Sequence, residues 1–303
     1  MEIKTVWALH FSPTGNAERI ALEAGRTLSE SLGAALESVS LNAPAARRKE
    51  YVFGPADLLV IACPVYAGRL PNKIAPDLKA CLRGNRTPSC ALVTFGNRAY
   101  DNALAELASV LTAGGFDTVS AGALVGEHAF TDKLGGGRPG VTDIWELREF
   151  ARKTAEAVRN FPANADNFSA NADAVRNLSA SGGFPSVSVP GDAEAGYYVP
   201  KGADGLPAKF LKAKPKINAR CNQCGACAQI CPMGAIDPRD ASDVPGTCIK
   251  CQACVRRCTR QARFFDDAAF LSHVAMLEQT FTEPKENAFF YANFSPTQEN
   301  RAL

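Results

Sequence analysis

The sequence predicts an α/β protein in which a doubly wound parallel sheet is followed by a small cysteine-rich domain. Strand and helix patterns alternate through the first 160 residues, and repeated alternation is typical of a parallel sheet with helices on both faces. The composition then shifts to Asn, Ala, Ser, Gly and Pro, which indicates a connection. Beyond it, eight of the eleven cysteines fall in two runs of equal spacing, so this end of the chain has a chemistry of its own.

The elements of the first part follow from the spacing of apolar residues. Between Ala17 and Leu32 they recur every three or four positions, as on one face of a helix, whereas 57–63 and 89–95 are continuous apolar runs typical of buried strands. Strands are predicted over 3–11, 57–63, 89–95 and 118–125. Helices are predicted over 17–32, 73–82, 101–113 and 144–160. Asp143 and Glu146 fit a capping box at the start of the last helix.

Length and composition divide the chain into four segments. A chain of 303 residues is long enough for about two domains, and 46% hydrophobic with 21% charged residues is ordinary for a protein with a packed core. We expect an α/β domain over 1–160, a connection over 161–208, a cysteine-rich domain over 209–266, and a tail over 267–303 that packs back onto the body.

Targeting signals are not evident. The N-terminus lacks a basic region followed by a long apolar stretch, which a signal peptide requires. The longest apolar stretch, around 58–67, is too short to cross a bilayer and is broken by Pro64. We therefore expect a cytoplasmic protein with no membrane insertion, in which cysteines stay reduced.

The two cysteine runs predict a pair of [4Fe–4S] clusters. Both read C-x2-C-x2-C-x3-C, and in that arrangement three cysteines of one run and the fourth of the other hold each cluster. One cluster would take Cys221, Cys224, Cys227 and Cys258, and the other Cys248, Cys251, Cys254 and Cys231. Zinc is disfavoured, because four thiolates within eleven residues are too crowded for one tetrahedral ion. Disulfides are disfavoured further by the reducing compartment.

A second candidate site lies where the first strand meets the first helix. A turn at this point presents backbone N–H groups and the positive end of a helix dipole, which together make an anion site. Ser12 and Thr14 add hydroxyl donors, and Gly15 allows close backbone approach. Asn16 and Ala17 complete the turn. A simple helix cap is the alternative interpretation.

Two further loops favour a ligand site over a helix cap. They follow the predicted strands 57–63 and 89–95, and all three loops leave the carboxyl ends of strands, where open α/β sheets bind ligands. Each of the two contains glycine for close approach and a tyrosine that can cover a planar ring, although a single tyrosine is more often a packing residue. The candidate contacts are Pro64, Tyr66, Ala67, Gly68, Phe95, Gly96, Asn97 and Tyr100.

Positive charge is concentrated around the cysteine runs. Residues 209–263 contain eleven basic and three acidic residues, a net of +8, although the whole chain carries only +2. Arg256, Arg257, Arg260 and Arg263 can offset the negative charge of the clusters or steer an acidic protein partner. A solvated basic face is the alternative. Nucleic-acid binding is not supported, because no basic–aromatic interleaving or recognised motif accompanies the charge.

These motifs carry a resemblance to known proteins. The first 160 residues resemble a flavodoxin, and the C-terminal part resembles a bacterial two-cluster ferredoxin. The whole chain is similar to the flavodoxin–ferredoxin fusions known as EFR1-family ferredoxins. The similarity is most specific in the turn from Ser12, the Pro-Val-Tyr-Ala-Gly-Arg-Leu-Pro loop, the Gly-Asn-Arg-Ala-Tyr loop and the cysteine runs. It implies a flavodoxin-like doubly wound parallel sheet followed by a small α+β two-cluster ferredoxin domain.

The resemblance implies that FMN is the ligand of the three loops. The turn over 12–17 would hold the phosphate, Tyr66 and Tyr100 would flank the isoalloxazine, and the Ala67–Gly68 peptide would contact flavin N5. Two positions depart from the family pattern. Ala17 stands where a threonine would supply another hydroxyl, and Thr259 stands where a proline normally follows the last cysteine, which leaves the chain path there open.

Three functions are compatible with these features. The favoured one is an electron-transfer protein that passes electrons between FMN, the two clusters and an external redox protein. The second is an FMN-dependent reductase of a quinone, disulfide or unsaturated acid, for which His10 and His128 near strand ends are the candidate groups. The third is a module whose cluster state controls the docking of a partner. No G-x-G-x-x-G nicotinamide motif is present, so we expect electrons to come from a protein.

Overall fold

A computed structural model of the protein describes residues 2–161 and 184–293, so most of the Asn-rich part of the predicted connection lies outside the described residues. The strands are β1 (Thr5–His10), β2 (Ala35–Ser40), β3 (Tyr51–Phe53), β4 (Asp57–Pro64), β5 (Leu82–Gly84), β6 (Thr87–Phe95), β7 (Phe116–Val125), β8 (Lys216–Ile217), β9 (Arg263–Phe264) and β10 (Ala288–Tyr291). The helices are α1 (Asn16–Leu32), α2 (Pro44–Arg47), α3 (Ala75–Cys81), α4 (Ala103–Ala113), α5 (Val141–Asn160), α6 (Ala226–Gln229), α7 (Ala253–Arg256) and α8 (Ala268–Thr280).

The central sheet has the order β10–β7–β6–β4–β1–β2. Its strands are parallel except β10, which runs antiparallel to β7 at the edge. Counted among themselves, the five parallel strands follow the order 2-1-3-4-5, which is that of flavodoxin-like doubly wound folds. The predicted fold class is therefore confirmed.

Helices cover both faces of the sheet, which explains why its central strands are apolar throughout. The side chains of α3 and α4 pack against one face, and those of α1 and α5 pack against the other. Every residue of β6 and β7 is consequently buried. The edge strand β2 is exposed along most of its length, so its sequence lacks the apolar run from which a range could be predicted. No helix in the described parts of the chain is long and apolar enough to span a bilayer.

The capping box predicted for α5 is wrong in its register. The helix starts at Val141, and the backbone N–H of Gly140 donates to the Asp143 carboxylate at 2.6 Å. Asp143 is thus the third helical residue rather than the cap. Glu146 accepts from the Asn287 side chain at 2.6 Å, so it holds the tail instead of closing the helix end.

The cysteine-rich domain is an internal repeat in conformation as well as in sequence. Residues 27 positions apart adopt the same backbone shape: α6 and α7 have equal length, and each begins at a left-handed residue, Gly225 with φ 75° and Gln252 with φ 64°. The antiparallel pair of β8 and β9 joins the two ends of the domain. The repeat therefore builds two similar halves around one centre.

The segments that flank the cysteine-rich domain pack on the α/β domain. Phe184 and Val187 are buried in its core, and the Val187 N–H donates to the Thr118 carbonyl at 2.7 Å. Further along, the Tyr197 hydroxyl donates to the Leu70 carbonyl at 2.9 Å. On the other side, β10 extends the central sheet beside β7. The chain is thus fixed to the α/β domain both before and after the cysteine runs.

The two domains meet through a buried arginine at the end of α2. Arg47 is 5% exposed and forms a salt bridge with Asp77 at 2.7 Å. Its Nη1 donates to the Leu41 and Asn42 carbonyls, and its Nη2 crosses to the Pro232 carbonyl of the cysteine-rich domain, each at 2.7 Å. Every terminal nitrogen of this cation therefore has an acceptor, and one acceptor belongs to the other domain.

Replacing this arginine tests how strongly the domains are held together. Arg47→Met leaves the carbonyls of Leu41 and Pro232 without their buried donor, and an unsatisfied buried acceptor costs about 1–3 kcal/mol, so we expect the free energy of unfolding to fall by at least about 2 kcal/mol. The control is Arg83→Met, because Arg83 pairs with Glu50 at the surface and such pairs contribute about 0–1 kcal/mol. Urea unfolding of anaerobically prepared protein measures both. Equal losses in the two variants would contradict the interpretation of Arg47 as the interdomain anchor.

Candidate functional site

The polar turn between β1 and α1 has the features of an anion site. Gly15 caps the helix with φ 105°, a conformation that favours glycine, and the first N–H groups of α1 point out of the helix end. Ser12 is 2% exposed, and its hydroxyl has no hydrogen-bond partner within the described residues. A buried hydroxyl beside a helix N-terminus is a donor available to a ligand.

The other residues of this turn are held in place by neighbouring loops. Asn42 accepts from the Ser12 N–H at 2.6 Å and returns a bond to the Ser12 carbonyl at 3.1 Å. The Asn16 side chain donates to the Glu127 carbonyl at 3.1 Å. The methyl group of Ala17 is buried in the core, so only its backbone faces the helix end. Asn42 could not be predicted as a site residue, because a single asparagine after an exposed strand belongs to no recognisable motif.

The loop after β4 is a tight two-residue hairpin. Tyr66 and Arg69 exchange backbone hydrogen bonds at 2.8 and 3.1 Å, and the two residues between them, Ala67 and Gly68, have φ 49° and 78°. A Cβ at Gly68 would lie 2.2 Å from the Asp101 carboxylate, which excludes larger residues. The Ala67 carbonyl accepts from the Tyr198 N–H at 2.8 Å, so the predicted flavin-contacting peptide is also bonded to the connection.

The loop after β6 places Tyr100 beside the sheet, and the Asn97 side chain of the same loop forms hydrogen bonds with the tail. Tyr100 is half-buried, with its ring centroid 5.5 Å from that of Phe95. A Cβ at Gly96 would lie 2.3 Å from the His128 ring, so glycine is required there. The Asn97 side chain donates to two carbonyls of the tail and accepts from the Lys285 N–H at 3.0 Å. Its side chain is therefore engaged, and its backbone is what remains for a ligand.

Both histidines near the strand ends are uncharged at neutral pH. Burial lowers the pKa of His10, against the opposing effect of Glu18. Burial together with the nearby cations of His273, Arg256 and Arg98 lowers the pKa of His128 to about 4. Neither His10 nor His128 is therefore poised to donate a proton from an imidazolium.

The four cysteines assigned to the second cluster line one cavity. Cys231, Cys248, Cys251 and Cys254 all border one pocket. Its remaining walls are mostly apolar and include Met233, Ile236 and Ile249. A cavity with four thiol groups and a dry wall fits a [4Fe–4S] cluster. Within residues 2–161 and 184–293, no group of three or more His, Cys, Asp or Glu side chains has the geometry to bind a single metal ion.

Backbone N–H groups already point at the sulfur of the fourth cysteine in each run. The Ala235 N–H donates to Cys231 Sγ, and the Ala262 N–H donates to Cys258 Sγ, both at 3.3 Å. Hydrogen bonds to sulfur are among the features that tune cluster potentials. The equal geometry also settles the chain path at Thr259: replacing the usual proline leaves the turn after Cys258 unchanged.

The cavity of the second cluster lies against the loops at the carboxyl edge of the sheet. Met233 and Ile249, two of its wall residues, pack on the same core cluster as Phe11 and Phe95 at the ends of β1 and β6. Burial raises the pKa of the Tyr66 hydroxyl well above its usual value, and the thiols of Cys251 and Cys248 add to the rise. Tyr66 and these two cysteines are therefore within electrostatic range of one another.

The two cysteine sets differ in exposure. Cys251 is 9% exposed, whereas Cys224 of the first run is exposed to solvent. The other six cysteines are half-buried, and the exposed Arg257 and Arg260 lie on either side of Cys258 in sequence.

A comparison with protein families identifies one segment of the chain. The family of 4Fe-4S binding domains matches residues 215–237, which contain Cys221, Cys224, Cys227 and Cys231. A search of curated proteins gave no match.

Solved structures similar to this chain cover about half of it. A flavodoxin from the domain Archaea is 14% identical, with 52% of this chain and 100% of that one covered at a TM-score of 0.37. The two-electron reduced flavodoxin of Megasphaera elsdenii is 18% identical, covering 50% and 98%, at 0.34. The rubredoxin oxygen:oxidoreductase of the anaerobe Desulfovibrio gigas is 18% identical, covering 52% and 37%, at 0.36. By its own topology and the matched family, this chain joins a flavodoxin-like domain to a 4Fe–4S ferredoxin domain.

Proposed function

We propose that this protein is an electron-transfer protein of the EFR1 type, which binds one FMN and two [4Fe–4S] clusters and exchanges electrons with an external redox protein. The observation that carries the proposal is the shared wall between the candidate sites. Met233 and Ile249 border the four-cysteine cavity and also pack on the core at the strand ends where the flavin loops begin. Two redox sites built against each other within one chain support electron passage between them.

When bound, FMN exchanges two electrons and can release them one at a time, whereas each cluster passes single electrons. Residues of the α/β domain would bind the flavin. Ser12 and the first N–H groups of α1 would bind the phosphate, and Tyr66 and Tyr100 would cover the ring. Met233 and Ile249 are apolar and pack against the core of the α/β domain, where they limit the access of water to the contact between the domains. Less water at this contact makes the electrostatic interactions of both sites stronger and less variable.

The internal repeat supports two clusters rather than one. The matched family covers the first run only, but the second run repeats its spacing, its left-handed turns and its N–H bond to the fourth cysteine. Cys231 of the first run borders the cavity of the second, as the crossed ligand pattern of paired clusters requires.

An acidic redox protein is the partner that the surface favours. Cys224 of the first run is exposed, and so are Arg257 and Arg260, which flank Cys258, the fourth ligand proposed for the same cluster. By contrast, Arg239 and Arg256 are already paired with Asp237 and Glu127. Arg257 and Arg260 have no salt-bridge partner in the described ranges, so their charges are available to an external protein that approaches the exposed cysteine.

Anaerobic purification tests the cofactor content. We expect about eight iron, eight sulfide and one FMN per chain, as two cubane clusters and one flavin demand. A redox titration should then show electrons moving between the clusters and the flavin. Colourless protein that contains zinc, or clusters that never reduce the flavin, would contradict the proposal. Substrate-dependent reoxidation of the flavin by a quinone would favour the reductase instead.

The unpartnered hydroxyl of Ser12 tests the phosphate site. A hydrogen bond to a charged group contributes about 1.5–3 kcal/mol, so we expect Ser12→Ala to weaken FMN binding by about 10- to 150-fold. The stability of the FMN-free protein should not fall, because this hydroxyl has no partner within the described residues. Flavin fluorescence on titration measures the affinity. Ser38→Ala, on the exposed strand β2, is the control. Unchanged affinity in Ser12→Ala would remove Ser12 from the site.

Charge reversal tests the partner surface. We expect Arg257→Glu with Arg260→Glu to weaken binding of a purified acidic bacterial ferredoxin at least tenfold at low salt, because exposed charges steer and hold such complexes. The control reverses the exposed Lys79 and Lys153 of the α/β domain. Binding is measured at two salt concentrations. Equal losses in both double variants would indicate net charge alone and no specific surface.

A further inference from the structure

Arg263 is a buried cation without an anionic partner in the described parts of the chain. Only 4% of the residue is exposed. Its Nη1 donates to the Ala241 carbonyl at 2.5 Å, whereas Nε and Nη2 have no acceptor among the described residues. Burying a guanidinium in this way is strongly unfavourable unless an anion compensates the charge and accepts the free N–H groups.

The α/β domain also contains a buried arginine, Arg47, with which Arg263 can be compared. Arg47 is buried to the same degree, at 5% exposed, yet its charge is paired with the Asp77 carboxylate and its remaining N–H groups reach backbone carbonyls. Arg263 lies in a domain with eleven basic and three acidic residues between 209 and 263 and has no such carboxylate. The anion that completes its environment is therefore not supplied by residues 2–161 or 184–293.

The internal repeat locates that anion. Arg263 lies 27 residues after Ile236, and each follows an alanine whose N–H donates to the fourth cysteine of its run at 3.3 Å. Ile236 borders the cavity of the second cluster. By the repeat, Arg263 occupies the matching position beside the first cluster, whose four cysteines are Cys221, Cys224, Cys227 and Cys258.

Two neighbours of Arg263 agree with this position. Ala241, which accepts from Arg263, itself donates its N–H to the Gln223 side chain at 2.7 Å, and Gln223 lies between Cys221 and Cys224 in sequence. On the inner side, the charge of Arg263 opposes the rise that burial causes in the pKa of Cys254. Arg263 therefore lies at the inner side of the first cluster, within electrostatic range of the second.

We propose that Arg263 donates hydrogen bonds from Nε and Nη2 to sulfur atoms of the cluster held by Cys221, Cys224, Cys227 and Cys258, and so raises its reduction potential above that of the other cluster. The inference rests on the two-cluster function proposed above. When one electron arrives from a low-potential protein donor, no bond breaks and Arg263 stays protonated, so the cation stabilises the reduced, more negative cluster more than the oxidised one. At the matching place beside the second cluster, Ile236 supplies neither charge nor donor.

The test is a redox titration of the anaerobic full-length protein, followed by electron paramagnetic resonance. In Arg263→Ile, which copies the other half of the repeat, we expect the reduced-to-oxidised ratio of one cluster at fixed potential to fall at least tenfold, or about 59 mV for one electron. The ratio for the other cluster should change less than threefold. Cys224→Ser alters the signal of the first cluster and so identifies which of the two has shifted.

The control is Arg239→Ile, which removes the same charge from an exposed position of the same domain. It should change both ratios less than threefold. A second variant, Arg263→Lys, keeps the charge but offers no planar fork of donors, and we expect a fall in the same cluster that is smaller than in Arg263→Ile. This variant decides the question if Arg263→Ile does not assemble its clusters.

The outcomes separate the two proposals. Wild-type protein without about eight iron per chain would overturn the proposed function and leave Arg263 without a cluster to bind. Wild-type protein with both clusters, in which Arg263→Ile or Arg263→Lys leaves both ratios unchanged, would overturn this inference alone. So would equal shifts in Arg263→Ile and Arg239→Ile, because they would reduce the effect to net charge.

Discussion

The packing of the second cysteine run on the carboxyl edge of the sheet is the constraint on which the other features depend. Met233 and Ile249 serve two hydrophobic clusters at once, the wall of the cysteine cavity and the core of the α/β domain. Arg47 fixes this contact from the other side through the Pro232 carbonyl, next to Cys231. Because the contact is buried and its hydrogen bonds are satisfied, the two candidate redox sites keep one relative position.

That constraint gives the two halves of the repeat different environments. The half that contains the pocket of Cys231, Cys248, Cys251 and Cys254 is lined by apolar residues, while the other half has the exposed Cys224 and is followed by the exposed Arg257 and Arg260. A sequence repeat would by itself make two equal sites. The docking of one half, and the exchange of Ile236 for Arg263 at matching positions, make the sites unequal.

Much of this arrangement could be predicted from the sequence, for physical reasons. The strands β4 and β6 are buried on both faces, so their apolar runs predicted them to within about two residues, and the cysteine spacing determined the chemistry of the second domain. The strand β2 could not be placed, because an exposed edge strand has no apolar run. The start of α5 was wrong because Asp143 can serve as a cap or as the third residue of the helix.

What remained hidden was every contact between distant parts of the chain. The bonds from Asn42 to Ser12 and from Arg47 to Pro232 join residues 30 and 185 positions apart, and no local pattern encodes them. Asn97 is a similar case. The sequence predicts its side chain as a ligand contact, but in the structure this side chain forms hydrogen bonds with the tail. Likewise, Arg263 is one of four arginines between residues 256 and 263, and of these four only Arg263 is buried.

The position of β10 limits how this protein can be divided into fragments. Because β10 pairs with β7, the ferredoxin domain is topologically an insertion between two neighbouring strands of a single sheet. Cutting the chain after α5 would not release an intact α/β domain, since it would remove β10 from the edge of β7 and expose a strand that is buried along its whole length, which invites aggregation. The two redox modules are thus one folding unit, and neither can be shed without damaging the other.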